Sequence, residues 1–432
     1  MNELKLFGEE LVDFIYQTHL KTIPEYYYDA LLNYLGVAYL GADQFAVSLV
    51  IDTLLDDYEG KYYPLHRKEK VSLSDVALID CFSSAVQAFD DIHFETTTHP
   101  CGPVMSAILA LARIQEISLH DALNALYIGM EVECRVATMM FSKNTNSSSG
   151  WYTTGIVGGI GAAAALSHLL QFNKDEIKSA LALSCNYASG IRGSHGSMTG
   201  SFVPAIASKN GFMATMLVKK GVTCSFESLV GDNGLIKQIT SHPDIHLARQ
   251  GLGQKKLSLQ SSCKPYPYGF ISFSAIALLT RLEINTDDIK TITVEVSSRV
   301  KMLGSNASPQ TMYDAFVSLP YIIASVIVNK DNAYDPLKDD FAVSSQVQSI
   351  MKKIMIKEKE DMEDDEIYII INGKEYYLKD APGSTHHPMD HQDVINKFKK
   401  IVNIKQKERF IEQMYHKDVK NIYHFITQYF NS

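Results

Sequence analysis

From the N-terminus to about residue 256, apolar residues recur at helical spacing, as in Val104, Ile108 and Leu111 and again in Leu123, Leu126, Ile128 and Val132. Such spacing gathers the apolar side chains on one face of each segment, so this part of the chain predicts a stack of helices. Two helix starts are legible. Ser118 is followed three residues on by Asp121, and Asn173 by Glu176, each a capping side chain with a carboxylate one turn later. Gly158, Gly159, Gly161 and Ala162 to Ala165 carry so little side chain that their helix is expected to lie close against its neighbours.

The pattern changes after Lys264. Residues 291–297 alternate strictly, with Ile292, Val294 and Val296 on one face, and predict a strand. Residues 367–371 run into Asn372-Gly373 and then KEYYL, the pattern of a two-residue hairpin whose turn needs positive φ at both positions. Helices are expected over 314–328 and 339–356, and the mixed-charge run 357–366 reads as a solvated loop. The last residues, from DVINKFKKIVN onward, return to helical spacing. The expected fold is therefore mainly α with an α+β second domain: a helical domain over 1–258, an α/β domain over 259–398, and C-terminal helices over 399–432 returning to the first body.

Composition narrows the class. With 432 residues, 46% hydrophobic and 21% charged, the chain has ample core for a two-domain globular protein. A net charge of −9 and the absence of a Lys/Arg-rich tract argue against nucleic acid or an anionic membrane as partner. The longest weakly polar stretch, Gly155 to Leu170, is too short to span a bilayer. Cys81, Cys101, Cys134, Cys185, Cys224 and Cys263 lie far apart, without a C-x-x-C pair, and suggest neither a disulfide framework nor a zinc site. The first twenty residues carry acidic groups and lack the basic start and cleavage site of a signal peptide, so a cytoplasmic protein is expected.

The densest polar cluster is AFDDIHFETTTHPCGP, residues 88–103, which puts Asp90, Asp91, His93, Glu95 and His99 in one segment before a helix. Carboxylate and imidazole together are what proton transfer near neutral pH requires, although Asp, Thr and Pro are also ordinary helix-end and turn residues. A second candidate is SGIRGSHGSMTGS, residues 189–201, where a Gly/Ser-rich loop surrounds Arg192 and His195. It reads either as an anion cradle with Arg192 as clamp or as a flexible connector. His386, His387 and His391 read as a surface loop rather than a metal tract, and no other metal-ligand spacing is present. The G-x-G-x-x-A at Gly159 has no preceding strand and reads as helix packing rather than a dinucleotide fingerprint.

Taken together, FDDIHFETTTHPCGPVMSAILALA, GMEVECRV, SSSGWYTTGIVGGIGAAAAL, ASGIRGSHGSM, SCKPYPYGF, AFVSLPYIIA and GSTHHPMDHQDVINKF resemble the MmgE/PrpD family of 2-methylcitrate dehydratases, cis-aconitate decarboxylases and iminodisuccinate epimerases. The resemblance covers roughly residues 30–400. It implies a helical domain, a smaller α/β lid, a homodimer, and an active site between domains acting on a small-molecule substrate without metal or organic cofactor. The H-P-x-G motif places the family's catalytic histidine at His99, and K-P-Y-P its active-site lysine at Lys264. Asp91 and Tyr152 join the expected catalytic set, with His93, Tyr321, Arg192, His195 and Gly200 as substrate-binding residues.

This chain departs from the family pattern at several of these blocks. Ala88 stands where the family has Asp, Ile92 where it has Thr, Tyr152 where it has His, and Gly200 where it has Lys; Gly269 and Phe273 replace polar positions. The changes share a direction, from charged or titratable to aliphatic or aromatic. They predict either a lyase or isomerase with a less polyanionic substrate or a catalytically impaired homologue acting as a binding protein.

Overall fold

The computed structural model describes residues 3–430 except 57, 149, 331–334, 336, 338 and 339. The helical spacing up to residue 256 corresponds to a layered helical body whose centre is formed by Cys101–Ala112, Leu119–Phe141, Thr153–Leu169 and Phe202–Lys219. Both expected starts are present: Ser118 accepts a hydrogen bond from the Asp121 N–H, and Asn173 forms a reciprocal capping box with Glu176. The glycine-rich helix does lie against its neighbours. A Cβ on Gly161 would stand 2.9 Å from the Gly129 carbonyl oxygen and one on Gly129 2.8 Å from that of Gly161, so neither position has room for a side chain.

Two short strands far apart in sequence, β1 (Asp91–His93) and β2 (Ser261–Cys263), pair antiparallel with Asp91 opposite Cys263. The approach to β2 is fixed by a buried ion pair on Leu119–Phe141. Arg135 binds Glu131 and donates to the carbonyls of Ala248 and Lys255, while Glu131 accepts the backbone N–H groups of Leu257 and Ser258. The chain thus enters β2 from a position set by the helical core.

A separate four-stranded sheet follows, made of β3 (Ile292–Val296), β4 (Ile354–Glu358), β5 (Ile367–Ile371) and β6 (Lys374–Leu378) in the order β4-β3-β5-β6. The alternation in β3 survives as buried Ile292, Val294 and Val296. The β5–β6 turn has φ of 51° at Asn372 and 86° at Gly373, as the hairpin requires. One expectation is corrected. The helix expected over 339–356 is present only as Ser345–Met351, residue 339 lies outside the described residues, and Ile354–Glu358 is a strand parallel to β3. Ile354 and Ile356 are spaced for a strand face, and the free edge of β3 supplies the backbone partners that settle the choice. The other expected helix is divided into Met312–Ala315 and Leu319–Asn329, the second started by the Ser318 side chain with Pro320 in its first turn.

The helices His391–Ile401 and Lys407–His416 pack on Glu25–Gly41, and Ile422–Phe430 packs on Cys101–Ala112. Among the described residues, no single helix is long and apolar enough to cross a membrane.

Candidate active site

Strand alternation sorts the dense polar cluster. Successive side chains of an extended segment point to opposite faces, so Asp90 and Ile92 share one side and Asp91 and His93 the other. Asp90 and Ile92 line a cavity; Asp91 and His93 face the interior. The β1–β2 pairing extends one step further, with the Lys264 N–H donating to the Asp90 carbonyl at 2.9 Å, and this sets the two side chains next to each other. Lys264 Nζ is 2.5 Å from Asp90 Oδ1.

His99 reaches the same point from the loop that follows β1. That loop is closed by the His93 N–H on the Thr98 carbonyl and held to the start of Thr153–Leu169 by two contacts: the His99 N–H donates to Thr154 Oγ1, and Thr153 Oγ1 donates to the Thr97 carbonyl. The His99 ring places Nδ1 2.6 Å from the Asp91 carbonyl oxygen and 3.2 Å from Asp90 Oδ2. A carbonyl can only accept, so Nδ1 carries the hydrogen and the lone pair of the neutral ring sits on Nε2.

The charge distribution follows from these contacts. Burial alone would raise the Asp90 carboxyl, but the Lys264 ammonium and the His99 ring, through charge and hydrogen bonds, outweigh it and hold Asp90 well below the usual carboxylate range. Asp91 goes the other way, to about 6, through burial and the neighbouring Asp90 anion. The phenol of Tyr152 is pushed up by burial and by Asp90. His195 is pushed down to about 4, chiefly by desolvation and then by the charge of Arg192 and the neighbouring His99 and Lys264.

The cavity brings together His99, Lys264, Tyr152, Arg192, His195 and Gly200 from the expected set. It leaves out Asp91, His93 and Tyr321. The Asp91 carboxylate accepts the Cys101 N–H at 3.1 Å at the start of Cys101–Ala112; His93 is fully buried, with Nδ1 on Thr96, and burial lowers it to about 4. Tyr321 packs edge-on against Phe341 inside the second domain. The sequence placed both Asp90 and Asp91 in the dense cluster and Asp91 in the catalytic set, whereas it is Asp90 that bridges His99 and Lys264. Only the pairing of β1 with β2 distinguishes it from Asp91, so no local signal could have chosen between them.

The loop at 189–201 is a cavity wall rather than a free connector. The Tyr152 N–H donates to the Gly190 carbonyl and the Arg192 N–H to that of Gly150; Arg192 also donates to Thr97 Oγ1, and the His195 and Tyr152 rings lie 5.7 Å apart. Gly155 permits this approach, since a Cβ there would stand 2.2 Å from the Ser189 carbonyl oxygen. The opposite wall is apolar: Phe270, Ile271, Leu303, Phe316 and Val317, with Tyr313 beside them. Two other groups among the described residues bring potential metal ligands together, Glu25 with Asp29 and His391, and Asp365 with Asp380 and His386. Neither includes a residue of this cavity, and in the first the Asp29 carboxylate already accepts from Tyr415 and contacts His391.

The MmgE/PrpD N-terminal domain family matches residues 9–248 and the C-terminal domain family residues 266–417. The chain belongs to the MmgE/PrpD family. Among curated relatives, a cis-aconitate decarboxylase-like protein, oryM, of Aspergillus oryzae is 29% identical over 178 residues, covering 39% of this chain and 36% of the relative. Cis-aconitate decarboxylase of Homo sapiens is 30% identical over 139 residues, covering 31% of this chain and 28% of the relative. The matches thus span about a third of the length of these relatives. In this MmgE/PrpD protein the histidine of H-P-x-G and the lysine of K-P-Y-P meet through one carboxylate at one cavity.

Proposed function

We propose that this protein is a lyase or isomerase that works by proton transfer at a carbon next to a carboxylate or carbonyl, on a substrate with fewer negative charges than cis-aconitate. The observation that carries the reading is the Asp90 bridge, with its two oxygens on His99 Nδ1 and Lys264 Nζ. In this reading Nε2 of His99 takes a proton from the substrate carbon, and Asp90 stabilises the imidazolium that results. The negative charge left on the substrate oxygen is met by Lys264, which lines the cavity. Run in reverse, the His99 imidazolium delivers a proton to an enolate, which serves decarboxylation, where the carboxylate leaves as CO2 and its bonding electrons form that enolate; dehydration needs in addition a proton for the hydroxyl that leaves as water, and epimerisation a second donor on the opposite face of the enolate. Family membership and the names of the relatives support the reaction class, and no organic cofactor or metal is invoked in these steps.

Charge supports the substrate class. Asp90, Lys264 and Arg192 are the charged residues of the cavity lining among the described residues, and the first two offset each other, leaving Arg192 to answer one carboxylate. Ala88, Ile92, Tyr152, Gly200 and Gly269, read from the sequence as departures from the family pattern, all line the cavity, whereas Phe273 packs with Ala277 and Ala381 elsewhere. Proton NMR in D2O with cis-aconitate, methylcitrate and iminodisuccinate against monocarboxylic hydroxy acids and their esters tests the proposal. Deuterium should enter next to the carbonyl of the less charged compounds. Preferential turnover of the polycarboxylates would overturn the substrate class, and silence across the panel would favour a binding protein.

A further inference from the structure

Lys397 is a buried cation that the proposed chemistry does not use. It lies on His391–Ile401, is 8% exposed, and spends its ammonium on three neutral acceptors: Asn33 Oδ1 at 2.6 Å, the Phe89 carbonyl at 2.6 Å and the Lys264 carbonyl at 2.9 Å. Its Nζ also stands 3.7 Å from the centroid of the Phe89 ring. Three donors meet three acceptors, so the geometry is fully satisfied, yet no carboxylate bonds the ammonium directly. Desolvation dominates and pulls Lys397 down to about 7. An apolar side chain would fill the same space without the cost of burying a charge.

What the ammonium does there follows from which carbonyls it holds. Phe89 immediately precedes Asp90, and the other carbonyl belongs to Lys264 itself. The Lys264 N–H to Asp90 carbonyl bond is the outermost rung beyond a ladder of three residue pairs, where short strands ordinarily fray. We propose that Lys397 is a positioning residue that clamps the Phe89 and Lys264 carbonyls to the helix Glu25–Gly41 through Asn33, and so holds the Asp90 carboxylate between Lys264 and His99. Its consequence for turnover rests on the function proposed above; the clamp itself does not.

The test therefore uses readouts that need no substrate, on the full chain. Native-state hydrogen exchange on the wild-type protein should show the Lys264 amide protected as strongly as the amides within β1 and β2. Lys397→Met should lower protection of the Lys264 amide at least about tenfold relative to the helical core, and should move the carbon-13 titration of the Asp90 carboxyl up toward the ordinary carboxylate range. A merely structural lysine would lower protection throughout and leave Asp90 where it was, and that result overturns the proposal. Should Lys397→Met fail to fold, the wild-type exchange decides alone, because rapid local exchange at the Lys264 amide would show that nothing clamps this end. Lys264 protection and the Asp90 titration left unchanged by Lys397→Met would refute the inference without touching the proposed function; the expected changes in a protein whose wild-type form turns over no substrate would do the reverse.

Discussion

Asp90 and Lys264, 174 residues apart in the chain, place carboxylate and ammonium 2.5 Å from each other with side-chain exposures of 10% and 5%. An ion pair this enclosed is weak evidence for stability as a unit, but removing one partner strands the other. Lys264→Ala is therefore expected to destabilise the fold by about 3–5 kcal/mol. The double variant Asp90→Asn with Lys264→Met should recover a large part of that loss. Urea unfolding of the three proteins checks the pattern, and equal losses in single and double variants would show that the pair does not act as a unit.

Asp91 carries the opposite sign. Its folded pKa of about 6 lies above the ordinary carboxylate value, so the folded state holds the proton more tightly than the unfolded chain. This contribution weakens folding as pH rises from about 4 to about 6 and is constant above. Asp91→Asn keeps an acceptor for the Cys101 N–H and removes the charge. It should raise stability at pH 7 by roughly 1–3 kcal/mol and flatten the stability profile between pH 4 and 6. A profile unchanged by the substitution would mean that Asp91 does not titrate there.

His99→Gln should leave the fold intact, because the backbone bond from residue 99 to Thr154 does not depend on the ring. Hydrogen–deuterium exchange into an accepted substrate should fall about 10²–10⁴-fold. Undiminished exchange would remove His99 from the chemistry.

Among the described residues the Arg192 guanidinium is hydrogen-bonded to Thr97 Oγ1 alone, so its charge is available to a ligand. Arg192→Ala should raise KM about ten- to hundredfold with a smaller change in kcat, the pattern of lost binding that is common to ground and transition states.

Gly200→Lys tests the charge argument in the other direction. A Cβ there would stand 3.1 Å from the Ser194 carbonyl oxygen and 3.2 Å from that of Ser197, so the loop has to give by a few tenths of an ångström. The added cation should tighten cis-aconitate binding about tenfold or more, read by calorimetry against the wild-type protein. No gain would mean that lining charge does not set the substrate class.

The sequence by itself determined the helical body, the capped starts at Ser118 and Asn173, the β3 strand and the Asn372-Gly373 hairpin, because each rests on local periodicity or turn chemistry. It also singled out His99 and Lys264 through their motifs. It misread 352–356 as helix, since the choice there depended on the unpaired edge of β3. Which of Asp90 and Asp91 faces the cavity was decided by the β1–β2 pairing alone: two adjacent residues of a strand point opposite ways, and only a partner strand says which way is in. The same pairing brought Lys264 to Asp90, and the helix His391–Ile401 brought Lys397 to the carbonyls of Phe89 and Lys264, contacts that no spacing along the chain could predict.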